Sequence, residues 1–195
     1  MALLGKGAML LWFDVSPEAV AEHDHWHTHE HLPERLSIPG FRRGSRWIAA
    51  SGSPRYFVMY EVAEAGVLAS QPYLERLNNP TPWTAKMMPA YRGMTRGLCA
   101  VTASSGLGVG HAALSIRLAP APGSQAALRE WIASRLPELA SRPGLVSAHL
   151  LESAVTPPMT AEQQIRGRDA GVRGSQRRSA QPSIGGRSGG VSRVQ

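Results

Sequence analysis

Five histidines stand within nine residues of each other, at positions 23, 25, 27, 29 and 31, in the company of Asp24, Glu30 and Glu34. Imidazole titrates near neutral pH, so such a cluster suits proton transfer, hydrogen bonding to a substrate, or metal ligation. On a helix the cluster divides in two. His23, His27 and His31, spaced by four, share a stripe beside Trp26, while His25 and His29 fall on another face that solvent would take.

The inward stripe admits three readings. The histidines pack at a helix–sheet boundary and hydrogen-bond without chemistry. Alternatively, His27 or His31 faces a cleft as general acid or base, with Glu30 or Glu34 as carboxylate partner. Or His27 and His31 ligate a divalent metal or a haem iron. Neither a cysteine cluster nor an HExxH order accompanies them, so the expectation carries no metal and no cofactor. Trp12, Trp47, Tyr56, Tyr60 and Trp83 are either core or the walls of an apolar pocket. Arg42, Arg43 and Arg46 either hold a carboxylate or enolate or cover a solvated strand face. The expected site is therefore His27, His31 and Glu30 as catalytic groups, with His23, Trp26, Arg46, Tyr60 and Trp83 contacting the ligand.

Other constellations carry less. Gly106, Gly108 and Gly110 lack the Lys-Ser/Thr and the strand-to-helix setting of a phosphate loop. Ser115 and His111 have no acid nearby, and the one cysteine, Cys99, reads as a core thiol within a strand.

The elements that must position these residues follow from apolar patterning and punctuation. Lys6 to Val15 reads as a strand, closed by Ser16 as helix N-cap and Pro17 at the first helical position. A helix then runs to about Leu36, bent near Pro33, which lacks a backbone donor. Phe41 to Ala50 and Arg55 to Ala63 form a hairpin over Ser51–Pro54, with Tyr56, Val58 and Tyr60 on one face and Phe57 and Met59 on the other. A helix broken at Pro72, a proline-bracketed stretch around Trp83, and a strand from Met94 to Ala103 complete a β-α-β-β-α-β order. The fold class expected is α+β, a ferredoxin-like βαββαβ unit with both helices on one face of a four-stranded antiparallel sheet.

At this point the residues resemble a known superfamily. Trp26-His27, Glu30-His31-Leu32-Pro33-Glu34-Arg35 and Ile38-Pro39-Gly40-Phe41, followed by Arg43 and Arg46-Trp47, are similar to the helix-to-second-strand segment of EthD-like dimeric α/β-barrel proteins. Pro80-Thr81-Pro82-Trp83 and Met88-Pro89 resemble uncharacterised members. The likeness covers about the first hundred residues. That superfamily includes cofactor-free monooxygenases, muconolactone isomerases, polyketide cyclases and haem-handling enzymes. The resemblance implies a cleft for a small apolar molecule between sheet and helices, and a sheet that pairs with a second one, from another subunit or from the chain's own repeat; a homo-oligomer is expected.

Residues 1–103 form the expected unit, 104–110 a Gly-rich linker, and 111–160 an incomplete second βαβ repeat: a strand from His111 to Leu118, a helix from Ser124 to Ala140 and a strand from Leu145 to Glu152. Residues 161–195 read as a disordered basic Arg/Gly/Ser tail, either native or an aberrant end that replaced the rest of the repeat. The net charge of +7 belongs to this end: Arg166 to Gln195 carries seven arginines against Asp169, and the rest of the chain is close to neutral. Nucleic acid is therefore a partner through the tail alone, if at all. No apolar run approaches the roughly 18 residues of a membrane helix. A single cysteine suits a reducing compartment, so the expected location is cytoplasmic.

Overall fold

A computed structural model describes residues 2–154 and 159–167, together with the backbone of 191–193. It is a mixed α+β structure built on an antiparallel sheet. In chain order the elements are β1 (Gly7–Val15), α1 (Val20–Trp26), a π-helical turn (His27–His31), α2 (Leu32–Leu36), β2 (Phe41–Ala49), β3 (Tyr56–Val62), α3 (Gln71–Asn78), α4 (Pro82–Met87), β4 (Tyr91–Gly106), β5 (Ala112–Ala113), α5 (Gln125–Ser141), β6 (Ser147–Ser153), α6 (Ala161–Arg166) and β7 (Val191–Arg193). The strands lie in the order β5-β7-β2-β3-β1-β4-β6. Among the described residues no helix is long and apolar enough to cross a membrane.

β1 and β3 are central strands, and their sequences show it. Met9, Leu11 and Phe13 point to one side of β1 and Ala8, Leu10 and Trp12 to the other, so both faces carry apolar side chains; all seven residues of β3 are buried. The main core lies on the side of Met9, Phe13, Tyr56, Val58 and Tyr60, against Trp26, Leu68, Tyr73, Leu77 and Met87 from the helices. On the opposite side Trp47, Phe57 and Trp12 stack across three strands, with ring centroids 5.3 and 5.4 Å apart. The chain itself meets this second face: Trp12 Nε1 donates to Ser115 Oγ at 3.1 Å, and the Arg117 guanidinium lies 5.1 Å from the Trp12 ring.

Four expectations need correction. β4 runs on to Gly106, so residues 104–106 are strand rather than linker; a register shift between Val101 and Ala103 lets it bend while pairing with β6. The strand expected over His111–Leu118 shrinks to Ala112–Ala113, because Ser115 and Arg117 are engaged with Trp12 instead of a ladder. The second half does not begin a sheet of its own: β6 pairs with β4 and extends the first one. The expected tail starts as structure too, since residues 161–166 are helical and Glu162 is buried; residues 168–190 and 194–195 lie outside the described ones.

Gly44 in β2 sets how closely α2 approaches the sheet. A Cβ there would stand 2.8 Å from Leu32 Cδ1 and 3.3 Å from the Tyr60 ring. Gly44→Val is expected to cost about 1–3 kcal/mol through overpacking. Leu32→Ala in the same chain should recover part of that loss, because the crowding atom is gone. Urea denaturation of the four proteins of this cycle measures the coupling, and simple additivity would refute the contact.

Candidate functional site

The helix that carries the histidines changes pitch where they lie. Leu32 N–H donates to the His27 carbonyl, five residues back, so His27–His31 forms a π-helical turn. Pro33 follows at once. Proline has no N–H, and its ring would strike the carbonyl four residues earlier in a regular helix; the wider turn removes that conflict. The bend expected at Pro33 is thus taken up in the turn before it. One consequence is local: the Trp26 and His31 rings, five residues apart, lie against each other at a tilt of 37° with centroids 4.4 Å apart.

His23, His27 and His31 all point inward and are 0, 3 and 8 % exposed, with neighbouring rings 5.7 and 5.6 Å apart, whereas His25 and His29 are exposed. Burial holds all three imidazoles below the usual histidine pKa, His27 and His31 well below it. Neighbouring positive charge adds to this, from Arg46 at His27 and from Arg35 at His31. They are neutral rings at pH 7. Tyr60 Oη lies 3.4 Å from His27 Nε2, and burial pushes that phenol's pKa up, so it stays a protonated donor. His23 is wedged among Phe13, Trp26, Tyr56 and Tyr91, with its Nδ1 3.4 Å from Asp24.

His23 is thereby core rather than the ligand contact expected of it, and the cleft that His27, His31 and Tyr60 share lies between the π turn with α2 and the sheet. Met9, Leu11, Phe13 and Val58 form its apolar floor, and His27, His31, Tyr60, Tyr73 and Tyr91 supply polar atoms. Arg35 reaches into it from α2 and is 1 % exposed. Its Nη2 donates to Glu162, a side chain from α6 that also lines the cleft. Its Nη1 is 3.7 Å from Glu34 and makes no hydrogen bond among the described residues. Glu34, half-buried, lies 4.0 Å from His31 Nδ1 and 3.7 Å from Arg76; burial raises its pKa. With α6 in place the cleft has about 40 Å³ of free volume, room for a few waters. A larger, open groove of about 270 Å³ between Pro39 and α3 contains none of the histidines.

Several residues expected in the site lie elsewhere. Glu30 does not orient a histidine: its Oε1 accepts from Trp26 Nε1 at 3.2 Å and from Thr81 Oγ1 at 2.6 Å, tying α1 to the N-cap of α4. Trp83 sits outside the cleft, donating to Glu22 and packing 5.5 Å from exposed His25. Arg46 is buried, but it bonds the outer side of the helix through Asp24 O and Thr28 Oγ1. Trp26 is wholly buried and supports the histidines from behind. Cys99 is buried and free, with its thiol pKa raised by burial.

The sequence reading missed Arg35 and Glu162. Arg35 was in plain view, since it continues the His23, His27, His31 spacing by four more residues. Glu162 had a weaker signal: Thr160 and Gln163 are spaced as a capping box, and Thr160 N–H does donate to Gln163 Oε1 at 3.0 Å. Among the described residues, no group of three or more His, Cys, Asp or Glu side chains is arranged to hold a metal ion. No protein-family model matches this chain, and neither the curated proteins nor the solved structures include a match to it.

Proposed function

We infer that this chain binds a small apolar molecule in the cleft between the histidine helix and the sheet, and that His27 is its acid–base group. The strand order β2-β3-β1-β4 with the histidine helix on one face supports the ferredoxin-like reading, and with it the dimeric α/β-barrel resemblance. The observation that carries the functional reading is the pair His27–Tyr60: a neutral imidazole and a protonated phenol, 3.4 Å apart, on the wall of a cleft whose floor is apolar. A neutral imidazole is the form that accepts a proton, and its lowered pKa makes it a weak base that gives the proton back easily; a phenol that resists ionisation donates a hydrogen bond to a developing oxyanion. A carbonyl compound is the substrate class these two groups fit. His27 Nε2 would take a proton from the carbon beside the carbonyl, with Tyr60 bonding the enolate oxygen. The reaction type could then be isomerisation, cyclisation or reaction with oxygen.

A second reading rests on a different observation. The cleft is nearly full, which suits a binding or assembly module with no catalysis. What fills it argues otherwise, because inert packing has no use for a buried guanidinium and a carboxylate brought in from another helix.

Phenylacetone in D₂O separates the readings. Wild-type protein is expected to exchange its α-protons above the buffer rate, and His27→Phe to lower that excess by about 10²-fold. Saturable binding without exchange would establish the non-catalytic module. No binding at all would overturn the cleft as a ligand site.

A further inference from the structure

We propose that the Arg35 guanidinium is the receptor for a carboxylate on the ligand, and that α6 with Glu162 is an internal occupant which that carboxylate displaces. This rests on the cleft being the ligand site.

An arginine that is 1 % exposed has lost its water and must be compensated by an anion. The carboxylate that hydrogen-bonds it lies 127 residues away in the chain, on a helix of six residues. Among the described residues nothing in α2 or the sheet hydrogen-bonds Arg35 in its place: Glu34, its sequence neighbour, stays 3.7 Å off with both oxygens making no hydrogen bond, and Arg35 Nη1 makes none either. One arm of the guanidinium fork is therefore used and the other is open, where a free carboxylate could take both.

The occupant is a short segment. Besides Glu162, α6 is held to the body by the bond from Ala161 N–H to Asn78 Oδ1, 3.1 Å long and exposed, and Arg166 lines the cleft beside Glu162. Ile165 is 40 % exposed, so the helix buries little apolar surface of its own. Its departure would free the space that Glu162 and Arg166 line, and no organic ligand fits the 40 Å³ that remain while it stays. The walls left behind include Met9, Leu11, Phe13 and Leu77, with Tyr73, Tyr91 and Arg96 as the polar members, so the acid that fits has an aromatic or aliphatic body. Its carboxylate would sit at Arg35, which places the body along His27 and Tyr60.

The test uses the full chain, with benzoate as the probe and benzyl alcohol as its neutral counterpart. Benzoate is expected to bind at least tenfold tighter than the alcohol. Glu162→Gln should tighten benzoate a further tenfold or more and leave the alcohol within threefold. In the double variant Arg35→Gln/Glu162→Gln the preference for benzoate should vanish. Amide hydrogens of residues 161–166 should exchange faster with benzoate present. Should Glu162→Gln be too unstable to titrate, benzoate must raise its Tm and benzyl alcohol must not. Equal binding of acid and alcohol, independent of Arg35, would overturn the proposal and leave the cleft reading standing. Benzoate binding with α6 still protected, or no Tm rescue of an unstable Glu162→Gln, would also overturn it. If neither compound binds, both readings fall together.

Discussion

Lowering the pH from 7 to 5 will cost this fold several kcal/mol, at about 1.4 kcal/mol per pH unit for each histidine that stays neutral when folded. The groups responsible are His23, His27 and His31. In the unfolded chain each begins to take a proton near pH 6.5; in the folded chain burial holds each below that value. Between the two the unfolded state binds more protons, so stability is full above about pH 6.5 and falls as the pH drops. The carboxylates nearby shape the lower end. Glu34, whose pKa burial raises, takes its proton earlier in the folded state and offsets part of the loss. Asp24 is opposed by burial, but its bonds from His23 and Tyr56 still hold its pKa down, so it adds a further loss at more acid pH. Urea unfolding measured from pH 7.5 to 5 should therefore show a steep acid limb. Replacing His27 and then His31 by Gln should remove about a third of the slope each time. A wild-type slope below that of one proton, or one indifferent to both replacements, would mean these rings are not held neutral.

The same three residues show how far the sequence could be read. Spacing by four placed His23, His27 and His31 together on any helix that began at Pro17, and it put His25 and His29 outside. Alternation in Tyr56–Tyr60 set the faces of β3, because both neighbours of a central strand and both its layers are apolar. What could not be read is what depends on distant partners. Glu34 stands three residues after His31, the spacing at which helix side chains meet, but nothing in the sequence shows what holds Glu30. Thr81 and Thr84, fifty residues on, draw Glu30 away to α4 and leave Glu34 beside the ring. Trp83 has the composition of a pocket wall and the position of a surface latch, bonded to Glu22. Glu162 lies at the start of a polar, arginine-rich stretch whose composition predicts no core contact; one ion pair with Arg35 outweighs that composition locally. A pair across 127 residues leaves no trace in periodicity.

Trp26→Ala is expected to cost about 3–5 kcal/mol, the range for emptying a large aromatic site in a core. That is comparable to the whole stability of a small domain, about 5–15 kcal/mol, so a substantial unfolded fraction should appear at 37 °C. The size follows from the position. The indole is fully buried, lies 4.4 Å from the His31 ring and 5.6 Å from His23, and donates to Glu30. Removing it takes away the surface that holds the π turn in shape and one of the bonds that tie α1 to α4. Trp26→Phe separates the two contributions, because it keeps most of the ring contact and loses only the N–H donor. Glu30 retains Thr81 and Thr84, so that variant should lose only about 1–2 kcal/mol. Denaturation midpoints of the two variants check the difference. A ligand-facing tryptophan would give the reverse result, since cutting back a pocket wall leaves the empty protein nearly as stable and weakens binding instead. If Trp26→Ala lost less than about 1 kcal/mol, the indole would belong to the cleft rather than to its support.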